Sequence, residues 1–481
     1  MGAAYCFSSG AMIVWELRQG GGQTGSEFQM SFLSRFRFKG ERKRIQDAIR
    51  RAHEVYDIHP AQSVSEFKKA DSLVASIVDR GGVNVRNWQF LLDCLLSAFD
   101  LDRADEVAQH AGDNNYPEAD EAVKAIERFK ETTSSYREEL KTARQNFLSN
   151  KIAAKNFDVI VSLPTTMLDR RSFDAPVDSC DLQSIFAEIF SILRRNHIPY
   201  AVVGSPSIHG SPRLGEISKY ISFRTQDPSR QGLHFCITEK RKHYSFDRKG
   251  NMGWSEFSDS TENDILTLAP DQATADAFFQ REAGQIISSN SSKYIQPDSN
   301  LDVDIERPYI FVALQTMTGP ASRLASVPII EMLEEICETA KLHDLSVIAK
   351  PHPKWRAPEI EEAVERLSAN GDLSVSRGSI HKLIASSVAV CTVNSSVGAE
   401  ALLHLKPVYV FGRASYQPAC FKVRERGAFR TMFEPGKLPH DEDFIRKFFY
   451  VFRNSFQFDI TDESFTGRLE ERILQFMNDD A

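Results

Sequence analysis

No two cysteines of this chain stand at CxxC spacing; the seven present (Cys6, Cys94, Cys180, Cys236, Cys337, Cys391, Cys420) are scattered and odd in number. That pattern excludes a disulfide framework or a zinc ribbon and fits buried thiols in a reducing compartment. No apolar run approaches the ~18–20 residues that a membrane span requires. Positive charge is in deficit, 58 Lys and Arg against 66 Asp and Glu, for a net charge of −8. Non-specific nucleic-acid binding is therefore not the expected activity, and any anionic ligand must be held by local donors. HExxH, the P-loop pattern GxxxxGK[ST] and Cys/His ligand clusters are all absent, so neither a metal nor a resident cofactor is expected. Asp302-Val303-Asp304 falls in a polar linker rather than after a strand. What remains is an ordinary globular composition, 42% hydrophobic and 26% charged over 481 residues. That length accommodates roughly two to four domains.

Residues 1–29 are Gly-rich and aperiodic, and read as a disordered extension ahead of a more natural start at Met30. The basic patch Arg35–Arg44 suits either a solvated helix start or contact with anionic lipid. Residues 30–150 carry apolar positions at helical spacing throughout, and Asn87–Gly112 resembles one tetratricopeptide-like hairpin. From 157 the pattern becomes α/β. Strands are expected at Phe157–Leu163, Tyr200–Gly204, Ile217–Phe223, Leu233–Thr238 and Ile265–Ala269, in a parallel sheet covered on both faces. After a polar stretch over roughly 288–308, a second series follows, with strands at 309–314, 345–350, 373–376, 388–393 and 407–411. The expected domains are thus a helical one over 30–150 and α/β ones over 151–300 and 301–481.

The segment 345–412 is the most informative. Leu345–Lys350 is an apolar strand that runs into Pro351-His352-Pro353, where the prolines end regular structure. Val388–Val393 is a second strand, and Asn394-Ser395-Ser396 follow it at the expected N-cap of a helix over Val397–Leu405. Helix-start amides and the helix dipole make such a turn an anion site. A ligand of a Rossmann-like unit lies beyond the strand C-terminal ends.

KPHP at 350–353, Gln315 in VALQTMTGPAS and NSSVGAEALLHLKPV at 394–408 resemble the capsular polysaccharide synthesis and export family, which includes CMP-Kdo-dependent β-Kdo transferases. SKYIQP (292–297) and FDRKGNMGWS (246–255) are similar to further segments of that family. The resemblance covers about 200–412. It implies a GT-B-like pair of Rossmann-like domains behind the helical one, with the nucleotide sugar on the C-terminal domain and the acceptor on the other. The implied activity is that of a glycosyltransferase passing Kdo, or a related acidic sugar, from a CMP-sugar to a surface polysaccharide. A non-catalytic export or assembly protein of the same fold is the alternative, as is a GT-B enzyme or epimerase using a UDP- or GDP-sugar. Implied partners are the donor, a glycan or glycolipid acceptor, and proteins docking on the helical domain. The implied location is the cytoplasm, at most peripheral on the membrane.

In that frame His352 donates to the donor phosphate as the leaving group departs, and otherwise it is the histidine of a Pro-rich turn. Ser395 and Ser396 hold the same phosphate or simply cap the helix. Lys350 adds charge, Gln315 sits at the ligand edge, and Glu400 accepts ribose hydroxyls or is a surface glutamate. The acid that the family often shows after Gln315 is missing from Thr316–Pro320. Transfer also needs a carboxylate as base or nucleophile. Asp247, with Glu256 second, is the candidate; the alternative is that Asp247 only opens the turn DRKG. His209, His243, Arg248 and Trp254 are weaker candidates for contacts to acceptor or donor.

Overall fold

A computed structural model describes residues 40–52, 60–97, 100–149, 156–164, 179–205, 219–225, 231–294, 296–297, 302–303, 305, 307–315, 320–352 and 358–479. The N-terminal extension, His209, Asp304, Pro353 and the stretch after Gln315 lie outside these residues. The chain divides into two compact units, Met1–Tyr220 and Ile221–Ala481. No described helix is long and apolar enough to cross a membrane.

The first unit begins with helices at 40–52, Pro60–Asp79, Trp88–Ser97, Leu101–Asp113, Ala119–Thr132 and Arg137–Ser149. Asp100 starts the Leu101 helix by accepting the Arg103 amide, and Ala104, Val107, Ala108 and Ala111 bury one face at helical spacing. A parallel pair follows, β1 (Val159–Pro164) and β2 (Tyr200–Ser205), joined through the helix Ser179–Arg195. Strand β3 (Lys219–Phe223) spans the division between the units.

The second unit opens with β4 (Gly232–Ile237) and β5 (His243–Asp247). They pair antiparallel, and β12 (Gln457–Asp459) adds antiparallel to β5. The expectation of a purely parallel sheet in this part of the chain is therefore corrected. The connection 238–242 is too short for a crossover and permits only a hairpin. The expected strand Ile265–Ala269 is also corrected, because Glu262–Leu268 is helical. Thr261 and Asp264 form a capping box there, a local start signal that outweighs the apolar run ILTLA.

Six strands then form one parallel sheet: β6 (Tyr309–Ala313), β7 (Ser346–Lys350), β8 (Ser374–Val375), β9 (Ala389–Thr392), β10 (Val408–Val410) and β11 (Phe421–Lys422). Their spatial order is β8-β7-β6-β9-β10-β11, all parallel in register. This is the 3-2-1-4-5-6 Rossmann order, in which the order of strand addition reverses between β6 and β9 and opens a crevice at their C-terminal ends. Both faces are buried. Tyr309, Phe311 and Ala313 enter one core with the helix Glu442–Val451. Ile310, Val312 and Leu314 enter the other with the helix Ile329–Leu342. Each large apolar side chain so buried contributes about 1.5–3 kcal/mol. Phe257 stacks on Phe456 at 4.7 Å and so anchors the segment after β5 to the end of the chain.

Candidate functional site

At the C-terminal ends of β6, β7 and β9 lies an open recess lined by Lys350, Pro351, His352, Ser395 and Ser396 with Ser292, Tyr294 and Gln296. Ser292, Tyr294 and Gln296 come from the SKYIQP segment. The His352 ring meets Tyr294 edge to face at 5.0 Å. Gln296 Oε1 accepts from Lys350 Nζ and from the Ile380 amide, both at 3.3 Å. Ser396 occupies the N-cap position of the helix Val397–Leu403, but its side chain makes no cap hydrogen bond. Ser395 takes part of that role, accepting the Val397 amide at 3.4 Å. Several amides of this turn are already engaged: Ser395 N donates to Thr392 Oγ1, and Gly398 N and Ala399 N to the Ser395 and Ser396 carbonyls. Anion binding here would therefore lean on the Ser396 hydroxyl and His352 more than on the helix start. Gly398 is required, because a Cβ at that position would run into the Tyr416 hydroxyl, which donates to the Ser395 carbonyl.

A second, shallow recess shares Ser396 with the first. Its wall includes Glu239, Ser245, Met252, Lys293, Asn394 and Ser415. Met252 arrives on the loop after β5, which Arg413 secures by donating to Gly253 O (2.9 Å), Ser258 Oγ (2.9 Å) and Asp259 Oδ1 (2.8 Å).

The candidates read from the sequence take several positions. His352, Lys350, Ser395 and Ser396 share the first recess. Lys350, however, spends its three donors on Gln296 Oε1 and the Arg377 and Gly378 carbonyls. Burial holds its pKa below the ordinary lysine value. The loop it braces is held from the other side by Asp302, which accepts the Ser376 hydroxyl and the Arg377 amide. Burial opposes charge on Asp302, but these bonds prevail and keep its pKa low. Gln315 is buried and forms a reciprocal pair with Asn394: Nε2 donates to Asn394 Oδ1 at 2.6 Å, and Oε1 accepts the Asn394 amide at 3.0 Å. It therefore locks the β6 and β9 ends and positions Asn394.

Glu400 is not a surface residue; it lies beneath the first recess at 6% exposure. Ser292 Oγ donates to its Oε1 at 3.0 Å, and its Oε2 has no hydrogen-bond partner, with His381 Nε2 3.6 Å away. Burial pushes its pKa up to about 8, so the carboxyl is mostly protonated at neutral pH. His381 Nε2 donates to the Ser291 carbonyl at 2.8 Å, and its Nδ1 accepts from His404 Nε2 at 3.0 Å. Burial lowers both imidazole pKa values, that of His404 to about 4.

Asp247 ends β5 at 5% exposure and lines neither recess. Its Oδ1 accepts the Lys249 (2.8 Å) and Gly250 (3.2 Å) amides, and its Oδ2 the Glu256 amide (2.9 Å). Burial raises its pKa to about 6 against the pull of those amides. This is the arrangement of an aspartate that shapes a loop. Glu256 begins the 3₁₀ turn Glu256–Asp259 and also stands outside both recesses. His243 bonds the Arg241 carbonyl, and Arg248 pairs with Asp479 at 2.7 Å. Trp254 is on neither wall.

Sequence reading missed Glu239, Lys293 and Ser415, and took Asn394 only as part of the helix start. Glu239 and Ser415 follow strand ends in unremarkable loops, and Lys293 lay within the quoted SKYIQP. Among the described residues, no three His, Cys, Asp or Glu side chains are arranged to hold a metal ion.

Residues 257–422 match the family model described as capsule polysaccharide biosynthesis protein. No curated protein matches the chain. Among solved structures, the chain is similar to the β-Kdo 2,4-transferase KpsC of Thermosulfurimonas dismutans. The identity is 15% and the TM-score 0.38, over 61% of this chain and 90% of that one. It is similar to the β-Kdo 2,7-transferase KpsC of the same organism at 12% identity and TM-score 0.37, over 66% and 99%. A UDP-GlcNAc 2-epimerase from Methanocaldococcus jannaschii matches at 10% identity and TM-score 0.23, over 71% and 82%. The matched segment contains Gln315, Lys350, His352, Ser395, Ser396 and Glu400 and excludes Asp247 and Glu256. In residues 257–422 the chain is similar to the capsule polysaccharide biosynthesis family, as its motifs indicate.

Proposed function

We propose that this protein is a glycosyltransferase of capsule or other surface polysaccharide synthesis, of GT-B-like organisation, using a CMP-activated acidic sugar with Kdo as first choice. The observation that carries this reading is the convergence of His352, Ser395 and Ser396 on one recess where the strand order of the parallel sheet reverses. A phosphate ester seated there meets an imidazole and two hydroxyls. As the glycosidic bond breaks, charge grows on that phosphate, and His352 and Ser396 stabilise it in place. Gln315 and Lys350 hold the surrounding loops, and Glu400 backs the wall through Ser292. The acceptor is a glycan or glycolipid. Protein partners would dock on the N-terminal helices, and membrane association, if any, would be peripheral.

The test is nucleotide release and product formation with CMP-, UDP- and GDP-linked sugars and glycan acceptors. Turnover with a CMP-sugar, cut about 10²–10³-fold by His352→Ala, is expected. Preference for a UDP- or GDP-sugar would replace the donor assignment. Saturable CMP binding without turnover would make the protein a non-catalytic assembly factor.

A further inference from the structure

We propose that Glu239, in the second recess, is the catalytic carboxylate that receives the acceptor proton. This rests on the transferase reading above. Ser396 lines both recesses and Glu239 lines the second; in this proposal a phosphate held in the first turns its sugar toward Glu239. Glu239 follows β4 by two residues and accepts two hydrogen bonds, from the Ser415 hydroxyl to Oε1 and from Gln457 Nε2 to Oε2 at 2.9 Å. Each oxygen keeps a lone pair for a substrate hydroxyl. Asp247, by contrast, is engaged by three backbone amides and faces no recess.

The placement of Glu239 is set from behind by buried charge. Arg453 donates to Gln457 Oε1, which forces the amide nitrogen of Gln457 toward Glu239. The same guanidinium donates through Nε to Glu282 Oε1 at 3.0 Å, and Lys240 holds both oxygens of Glu282. Gln457 is wholly buried, so its hydrogen bonds to Arg453 and Glu239 are shielded from bulk water. A side chain fixed in this way at a recess wall is prepared for a positional task.

In the step itself, the acceptor oxygen forms a bond to the anomeric carbon of the donor. The bond from that carbon to the phosphate oxygen breaks, and its electron pair leaves with the nucleotide. The acceptor hydroxyl proton passes to Glu239, which later returns it to water. The products are the glycoside and the free nucleotide.

The full chain and its Glu239→Gln variant are compared in two assays: transfer from the donor panel, and calorimetry with CMP. Expected is a loss of transfer of about 10²-fold or more, with CMP affinity within about threefold of wild type. Glu239→Ala should regain at least about tenfold with added formate. A wild-type rate in Glu239→Gln overturns the proposal alone, as does a loss that formate does not relieve, since that would leave Glu239 a positioning role. Should Glu239→Gln fail to fold, Glu239→Asp replaces it, and an undiminished rate there is equally contrary. No turnover by the wild-type chain with any donor overturns this assignment together with the transferase reading.

Discussion

The parallel sheet and the antiparallel strands of Ile221–Ala481 both bring residues to the two recesses, but by different physics. In the parallel sheet, position follows from the backbone: strand ends, the Pro351 turn and the Ser395-Ser396 helix entry place His352 and the serines. In the antiparallel layer, position follows from side chains: Arg453, Glu282 and Gln457 form a buried relay that ends on Glu239. The first kind of site tolerates change at most side chains but not in chain geometry. The second tolerates little change in charge.

The largest effect should come from breaking the relay. Arg453→Met leaves Glu282, at 7% exposure, with Lys240 as its remaining cation. Removing one partner of a buried pair costs about 3–5 kcal/mol. Urea unfolding should show that loss, whereas a change within 0.5 kcal/mol would mean the relay is not structurally needed. Next comes the backbone side of the comparison. Gly398→Ala places a methyl against Tyr416 and should cost about 1–3 kcal/mol by overpacking. It should also weaken CMP binding by displacing Ser395, while Arg453→Met leaves CMP affinity nearly unchanged. If the two variants swapped these signatures, the division of labour would be refuted.

The smallest effect is a pH dependence. The Glu400 carboxyl titrates near 8 in the folded protein, above its ordinary 4.5. Across that interval the native protein holds a proton that the unfolded chain has lost, so stability falls as pH rises toward about 8 and then levels. His381 and His404 act in the opposite sense, but only below their ordinary 6.5, which leaves pH 6.5–8 to Glu400. Wild-type Tm should decline over that window, by about 2–4 °C for each kcal/mol lost. Glu400→Gln should remain flat, and an equal decline in both would remove Glu400 as its source.

This difference in physics also governs what could be read in advance. His352, Ser395 and Ser396 are legible because prolines, helix-start residues and apolar strands are local signals. The strand alternation over 309–411 likewise announced a Rossmann-type half, and the structure supplies its strand order. Glu239 carried no such signal. Its task depends on Gln457, more than 200 residues later, in a three-residue strand too short to show a pattern. Asp247 was read as the candidate carboxylate or as the start of the turn DRKG, and only the structure shows three amides closing around it. The stretch ILTLA read as a strand because its apolar content masked the capping box that starts a helix one turn earlier. Glu400 was read with a surface position as one alternative, and only the packing of Ser292 and His381 shows how deeply it is buried.

The most direct test of the account is a calorimetric titration of CMP into the wild-type chain and into His352→Ala. The account predicts saturable one-site binding by the wild type and at least about tenfold weaker binding by the variant, a difference of 1.4 kcal/mol or more. Equal affinity in the two proteins, or no binding by the wild type, would contradict it.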